Sequence, residues 1–265
     1  MREYKEHFVA FLDILGFKAF INHEKCENIY QIFETIHSRS KSSLMYNGVQ
    51  IQAFEAIHYK ILSDSIIVFI DAETDDSFAA LLTICTQLQI ALADRDDPIL
   101  LRGGIAKGSL YYEDDIIFGQ GLTQAYLLEN NLAKYPRVIF TGDTLDAGKR
   151  VAKYMFPELE GLCQNFIESE DGLYIVDYFP TNYPGKLDKI KIYSDKLIHK
   201  CEVMLNSLTD ASLREKYLWL RKQINKSISH MSQLQELYNQ ETEIKRNAET
   251  EQYNARFAVY RQQEQ

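Results

Sequence analysis

Two aspartates have the residue type and the spacing that phosphate chemistry requires. Asp13 follows the apolar run Phe8–Leu12, and Asp64 stands between two further apolar runs. If these runs are neighbouring strands, both carboxylates reach one edge of a sheet, where like charges are unfavourable unless a cation lies between them. Paired hard oxygen ligands suit Mg²⁺ or Mn²⁺ holding a triphosphate. The pair therefore predicts a metal and nucleotide site.

The segment after Asp13 predicts the start of a helix. Backbone N–H groups of Leu15, Gly16 and Phe17 would lie in its first turn, where amides have no acceptor within the helix. Such amides bind phosphate, and glycine permits a close approach of the backbone. We expect these three amides to face the β- and γ-phosphates of a bound triphosphate.

Ordinary structural roles compete with these assignments. Asp13 suits a helix cap, and Asp64 suits a hairpin turn. Lys60 is as typical of a solvated strand as of a binding residue, and Thr123 is more typical of a helix cap than of a catalytic position. The joint occurrence of the two aspartates, with a glycine beside the first, favours metal binding over two unrelated turns.

The composition is that of a globular protein. Of 265 residues, 46% are hydrophobic and 25% are charged, which is enough for a full core. The net charge of −9 argues against a nucleic-acid partner or an anionic membrane surface. Four scattered cysteines predict neither a zinc site nor a disulfide framework. No apolar run approaches the ~20 residues of a membrane helix, so we expect a cytoplasmic protein.

The order of the elements predicts an α+β fold. Helices alternate with hairpins, which is typical of a mostly antiparallel, ferredoxin-like sheet with helices packed on one face. Prolines at 180 and 184 mark a boundary between a domain over 1–180 and a helical extension over 186–265. The predicted strands are 7–14, 49–57, 59–70, 99–110, 111–118, 138–141 and 173–178, and the predicted helices are 17–45, 76–95, 119–130, 143–154 and a region beginning at 187.

Four motifs, in one order, resemble those of class III nucleotide cyclases. They are Phe11–Phe17 (FLDILGF), Lys60–Ser65 (KILSDS), Arg102–Gly108 (RGGIAKG) and Phe118–Glu129 (FGQGLTQAYLLE). The resemblance implies the cyclase catalytic fold over the first domain and a homodimer with shared active sites. It also implies two ions, Mn²⁺ or Mg²⁺, held by Asp13, Asp64 and the carbonyl oxygen of Ile14.

The chain departs from this family where the family recognises a purine base. Lys60 fills one base-contacting position, but Ile116 stands where the family has an acidic reader. Thr123 replaces the transition-state asparagine, and Leu127 replaces an arginine. The chain is similar in these respects to the bacterial pyrimidine cyclases of the Pycsar antiphage systems. That likeness implies synthesis of cyclic UMP or cyclic CMP, which activates a separate effector protein.

Nucleotide binding must then use other residues. Arg102 and Lys107 are candidates to balance phosphate charge, and Thr123 can donate one hydrogen bond. Lys60 can donate to a pyrimidine carbonyl oxygen, whereas Ile116 offers no acceptor for an exocyclic amine. The combination leans towards UTP over CTP as the substrate.

Three alternatives stay open at this point. The missing asparagine and arginine are compatible with a degenerate module that binds a nucleotide or only dimerises. A purine cyclase with rebuilt base recognition is the second alternative. A diguanylate synthase also uses a pair of carboxylates, but its Gly-Gly-Asp/Glu-Glu-Phe signature is absent from the sequence. We therefore rank this alternative last.

Overall fold

A computed structural model describes residues 2–40, 45–46, 49–50, 56–73, 77–151, 166–184 and 186–233. The strands are β1 (Lys5–Ile14), β2 (Met45–Tyr46), β3 (Val49–Gln50), β4 (His58–Leu62), β5 (Ser65–Asp71), β6 (Leu101–Glu113), β7 (Ile116–Phe118), β8 (Val138–Phe140), β9 (Phe166–Glu168) and β10 (Tyr174–Val176). The helices are α1 (Phe17–His23), α2 (Cys26–Ser40), α3 (Ser77–Ala93), α4 (Gln120–Leu132), α5 (Gly142–Val151), α6 (Leu187–Ser207) and α7 over 211–233.

Eight strands form one sheet in the order β4-β5-β1-β6-β8-β10-β9, with β7 paired to β6. β1 lies between β5 and β6 and is antiparallel to both. Among the described strands of this sheet, β6 and β8 form the one parallel pair. The predicted α+β class, with a mostly antiparallel sheet, is confirmed. β2 and β3 form a separate two-stranded hairpin.

Helices cover both faces of this sheet. Phe8 and Leu12 of β1 belong to a core cluster with α2 and α3, whereas Val9 belongs to a cluster with Ala125 of α4 on the other face. The prediction that the helices pack on one face is therefore wrong. The physical reason is that β1 is apolar on both faces, so each face must be buried against something.

Helix α4 lies close to β6 because glycines of β6 face it. A Cβ atom at Gly104 would lie 2.4 Å from the carbonyl oxygen of Ala125, and one at Gly108 would lie 2.9 Å from the amide nitrogen of Gly121. Only residues without a side chain permit this approach. The close packing brings the α4 side chains down to the strands that carry the candidate site.

The two C-terminal helices build a second core cluster. Tyr193 and Leu197 of α6 and Tyr217 and Leu220 of α7 pack with residues of the main domain, among them Ile90, Ala93, Leu100, Tyr178 and Phe179. The helices after residue 186 are thus joined to the sheet domain through a shared apolar core. The division at residues 180 to 186 stays a prediction.

Several predicted boundaries differ from the structure. The predicted helix over 17–45 is two helices, α1 and α2, and β9 was not predicted at all. The predicted strand over 49–57 includes β3, but residues 51–55 lie outside the described residues, as do Cys163 and the tail from 234 onward. None of the described helices is both long enough and apolar enough to span a membrane.

Candidate active site

The two predicted metal-binding aspartates meet at one edge of the sheet. Asp13 is paired across the strands with Ser65, the first residue of β5, so Asp64 lies in the turn beside it. The N–H of Ile14 donates to the carbonyl oxygen of Asp64 at 3.2 Å and holds the two segments together. Asp64 is also near enough to raise the pKa of Asp13. The structure brings together the two side chains that the sequence singled out.

Arg102 joins this edge from β6, where it stands directly opposite Asp13 in the strand register. Its Nε donates to Oδ2 of Asp13 at 2.9 Å, and its Nη2 lies 2.8 Å from Oε1 of Glu129 on α4. Glu129 is buried, and this oxygen has no well-aligned hydrogen bond within the described part of the chain. Charge attraction, more than directed hydrogen bonding, therefore holds Arg102 against Glu129.

Acidic groups outnumber cations here, and the pKa values of Asp13 and Glu129 are raised, chiefly by burial. Burial raises the pKa of Asp13, Arg102 lowers it, and Asp64 raises it again through its charge and a hydrogen bond; the pKa ends above its ordinary value. Burial likewise raises the pKa of Glu129; Asp13 and Asp64 add to the rise, whereas Arg102 and Lys216 oppose it. A bound cation would relieve this mutual repulsion.

Gly16 forms the turn between β1 and α1 in the left-handed region, with φ of 79° and ψ of 12°. Glycine adopts this conformation without the cost that a side chain imposes. A Cβ atom at Gly16 would meet no atom within 4 Å, so the space above this turn is open. Open space over the first turn of α1 agrees with the expected approach of a phosphate.

One of the three predicted phosphate-binding amides is already used. The N–H of Leu15 donates to the carbonyl oxygen of Leu100 at 2.9 Å, so the prediction for Leu15 is wrong. The reason is that the antiparallel pairing of β1 and β6 extends one residue beyond the strands. The amides of Gly16 and Phe17 stand at the start of α1, where first-turn N–H groups have no acceptor in the helix.

Lys60 and Ile116 come together at the turn between β6 and β7. Nζ of Lys60 donates to the carbonyl oxygen of Asp114 and lies 3.8 Å from Oδ1 of Asp115. Ile116 follows directly, and its side chain is 58% exposed. The two residues expected to contact the base are thus neighbours. None of the hydrogen bonds or ion pairs found between described residues joins this turn to Asp13.

The contacts found for Thr123 and Lys107 among the described residues do not involve Asp13 or Asp64. The Thr123 hydroxyl donates to the carbonyl oxygen of Gly119 at 3.1 Å, an ordinary contact in the first turn of α4. Lys107 lies 4.0 Å from the carboxylate of Glu6 and borders a groove of about 690 Å³ between α4 and α5. That groove includes Leu127 but neither aspartate.

Glu129 is a site residue that the sequence reasoning missed. It is the last residue of the fourth motif, and it lies four residues after the buried Ala125, so the two residues share one face of α4. An acidic residue on the buried face of a helix is a signal of a buried partner, because an unpaired charge is costly there. That partner is Arg102.

The donor set at this edge fits a hard divalent cation. Two neighbouring carboxyl groups, with the nearby main-chain carbonyl of Ile14, supply the oxygen ligands that Mg²⁺ and Mn²⁺ prefer. Within the described ranges, no group of three or more His, Cys, Asp or Glu side chains could hold a metal. A cation that keeps several ligands from water and substrate phosphates needs no more than this.

The comparisons with known proteins concern the fold. No protein-family model matches the chain, and no curated protein matches it. Among solved structures, it is similar to the guanylyl cyclase domain of a RhoGC fusion protein from Blastocladiella emersonii, with 11% identity, 65% of this chain and 95% of that chain covered, and a TM-score of 0.46.

Two further solved structures are similar to this chain. A bacterial light-regulated adenylyl cyclase has 14% identity and a TM-score of 0.43, with 73% of this chain and 99% of that chain covered. A class III adenylyl cyclase-like ATP-binding protein from Pseudomonas aeruginosa has 10% identity and a TM-score of 0.39, with 72% of this chain and 40% of that chain covered. Likenesses at this level do not establish a shared activity, so a function must be argued from the site itself.

Proposed function

We propose that this chain is a metal-dependent nucleotide cyclase that converts UTP to 3′,5′-cyclic UMP and pyrophosphate, with CTP and cyclic CMP nearly as well supported. The observation that carries the proposal is the position of Asp13 beside Asp64 at one sheet edge, next to the open turn at Gly16. Two acidic side chains beside a helix start form a place for cations and for the phosphates that they bind.

The reaction joins the ribose 3′-oxygen to the α-phosphorus, breaks the bond from that phosphorus to the bridging oxygen of pyrophosphate, and releases the 3′-hydroxyl proton to solvent. Phosphoryl transfer depends mostly on positioning and charge neutralisation. Two divalent ions, when bound, lower the pKa of the hydroxyl group and offset charge on the leaving group. Asp13, Asp64 and the Ile14 carbonyl are the protein groups that would hold them.

The remaining residues would position the triphosphate. The Gly16 and Phe17 amides would donate to its terminal phosphates. Arg102 would turn from Asp13 towards phosphate oxygens once a cation takes its place, since its attachment to Glu129 lacks directed hydrogen bonds. A guanidinium suits this role because it offers several donors in one plane.

Base recognition would use Lys60 and the apolar Ile116. Nζ of Lys60 would donate to a carbonyl oxygen of the pyrimidine, O2 of either base or O4 of uracil. Ile116 cannot accept a hydrogen bond from the exocyclic amine of cytosine, which leans the preference towards UTP. Lys60 contacts Asp114 and Asp115, and Ile116 directly follows them in the chain, which supports a common position for the two residues.

A homodimer with shared sites is part of the proposal. The metal-binding edge is open, and the base-contacting turn has no described bond to it, so one subunit would supply each half of a site. Exposed apolar side chains support an interface nearby, since patches of this kind mark association surfaces. They include Ile116 and Phe118 of β7 and Tyr126 and Leu127 of α4.

The biological role follows from the sequence resemblance alone. In Pycsar-type antiphage defence the cyclic nucleotide is a second messenger, and the effector is a separate protein. We propose the same arrangement for this chain, with the effector encoded beside it.

Product analysis tests the activity directly. The purified chain is incubated with Mn²⁺ and each of UTP, CTP, ATP and GTP, and the products are separated by chromatography. We expect cyclic UMP or cyclic CMP, and a loss of at least about a hundredfold in Asp13→Asn and Asp64→Asn. The matched control is Asp195→Asn, an exposed aspartate on α6. A cyclic purine nucleotide as the main product, or full activity in Asp64→Asn, would refute the proposal.

A nucleotide-binding module without turnover is the second candidate. The observation that favours it is the internal hydrogen bond of Thr123, together with the exposed Leu127, because neither offers an extra charge to the transition state. Binding of UTP or CTP without release of pyrophosphate would identify this second function.

A further inference from the structure

The C-terminal helix α7 is anchored beside the strand that carries Arg102. The Tyr135 hydroxyl donates to Oε1 of Glu215 at 2.8 Å, and the Tyr135 ring stacks on Trp219 with a centroid separation of 5.0 Å and an interplanar angle of 4°. Both Glu215 and Trp219 belong to α7. One turn of α7, residues 215–219, is therefore fixed against the segment that precedes β8.

This contact continues to the candidate active site. The carbonyl oxygen of Arg137, two residues after Tyr135, accepts a hydrogen bond from the N–H of Gly103 at 3.0 Å. Gly103 is the neighbour of Arg102, which binds Asp13 and Glu129. A short path of packed residues thus runs from the anchored turn of α7 to the edge where the aspartates meet.

Lys216 lies within that anchored turn and is half-buried. Its charge interacts with the charges of Asp13 and Glu129. Burial lowers its pKa, and Arg102 lowers the pKa further, whereas Asp13, Asp210 and Glu129 oppose the change. Lys216 in turn lowers the pKa of Glu129. No ion pair within 4.0 Å joins Lys216 to a carboxylate of any described residue.

The balance of charge at this edge reverses when cations bind. Asp13, Asp64 and Glu129 carry three negative charges, and Arg102 and Lys216 carry two positive ones, which leaves one negative charge. One bound divalent cation makes the edge positive by one charge, and two make it positive by three. Once cations are bound, a second protein cation beside Arg102 is unfavourable unless a polyphosphate also lies there.

We propose that Lys216 is a triphosphate-binding residue, so that the helical extension completes the active site of its own chain. This inference rests on the proposed function, because it takes the Asp13 and Asp64 edge to be the nucleotide site. α7 is then a part of the site and not only a packing element. The ε-ammonium group of Lys216 would donate to a non-bridging oxygen of the β- or γ-phosphate beside Arg102.

Calorimetry with inorganic triphosphate and Mn²⁺ on the full chain tests the assignment. Lys216→Met should weaken binding by about tenfold, the effect of losing one charge-assisted hydrogen bond. Lys216→Arg should retain most of the affinity. The matched control is Lys222→Met on the same helix, whose side chain is 64% exposed and lies 3.4 Å from Glu170. Its affinity should stay within about twofold of the unaltered chain.

A measurement on the unaltered chain covers the case in which Lys216→Met does not fold. Lysines are acetylated with acetic anhydride, with and without Mn²⁺ and triphosphate, and the modified residues are quantified by mass spectrometry. Triphosphate should slow modification of Lys216 at least about fivefold and leave Lys222 unaffected, since a bound amine is a poor nucleophile.

The outcomes separate the two proposals. Failure of the unaltered chain to bind triphosphate overturns the proposed function, and the assignment of Lys216 with it. Binding that neither protects Lys216 nor depends on it overturns this assignment alone. Binding through Lys216 without pyrophosphate release from UTP or CTP supports the assignment and refutes the cyclase activity.

Discussion

Two arginines, Arg102 of β6 and Arg137 directly before β8, each bind acidic side chains, and they do so in different ways. At Arg102 two carboxyl groups, those of Asp13 and Glu129, share one guanidinium, Asp64 adds negative charge beside Asp13, and the pKa of Asp13 is raised. At Arg137 one guanidinium bonds Asp171 at 2.5 Å, Ser169 at 3.2 Å and the carbonyl oxygen of Leu132 at 3.5 Å.

The Arg137 cluster is built for stability. Its side chain is buried, and its guanidinium lies 5.4 Å from the centre of the Tyr135 ring and 5.8 Å from that of Trp219. Burial alone would raise the pKa of Asp171, but the hydrogen bond and charge of Arg137 outweigh it and leave the pKa below its ordinary value. An ion pair with matched charges joins two parts of a fold, whereas a surplus of acidic groups leaves negative charge that a bound cation can neutralise.

The largest effect on stability is expected from removing Arg137. Arg137→Met should lower the free energy of unfolding by about 3 kcal/mol, the low end for a broken buried pair, because Asp171 can be hydrated. Urea denaturation measures it, and Arg221→Met, an exposed arginine on α7, is the control. An equal midpoint for Arg137→Met and the unaltered chain would mean that this cluster does not join α7 to the domain.

The next largest effect is expected from adding metal, which should stabilise the chain through the Arg102 cluster and not through the Arg137 cluster. Mn²⁺ at about a hundred times its Kd should stabilise the chain by about 2.7 kcal/mol if it binds only the folded state. A rise in Tm with Mn²⁺ measures this gain. Asp64→Asn should abolish the rise, while Asp171→Asn should leave it intact. Stabilisation that survives in Asp64→Asn would place the cation elsewhere.

Neutralising a carboxylate should change the free energy of unfolding in opposite directions at Asp171 and at Asp13. Without metal at pH 7, Asp171→Asn should lower the free energy of unfolding by no more than about 1 kcal/mol, since the side chain is 44% exposed and solvent screens the pair. Asp13→Asn should leave stability unchanged or raise it, because it removes repulsion with Asp64 while an amide oxygen can still accept from Arg102. Denaturation in EDTA compares them, and equal losses in both variants would contradict the distinction.

The smallest effect is the pH dependence of these differences. The pKa of Asp171 is lowered on folding, so its contribution to stability is present above pH 3.8 and is lost as pH falls through the folded-state pKa. The pKa of Asp13 is raised, so the folded chain loses stability as pH rises from 3.8 through the raised pKa. Tm curves of both Asn variants against the unaltered chain, in EDTA, should diverge in these opposite directions.

Local pattern was enough for part of the fold and the site. The apolar runs of β1 and β5 and the turn residues between elements placed Asp13 and Asp64 at strand ends, and strand pairing then brought them together. Such features depend on neighbouring residues, so a sequence shows them directly. Element boundaries were less accurate, and β9 gave too short an apolar signal to be predicted.

The sequence by itself determined the α+β class and the pair of acidic residues, because both follow from periodicity and from residue type. Only the tertiary structure decided that α4 covers the second face of the sheet and that Arg102 binds Asp13 and Glu129. It also decided that the N–H of Leu15 donates to the carbonyl oxygen of Leu100. It also decided that Lys216, more than a hundred residues after Arg102, shares the same electrostatic environment. Contacts over such separations depend on packing of the whole chain, and no local pattern encodes them.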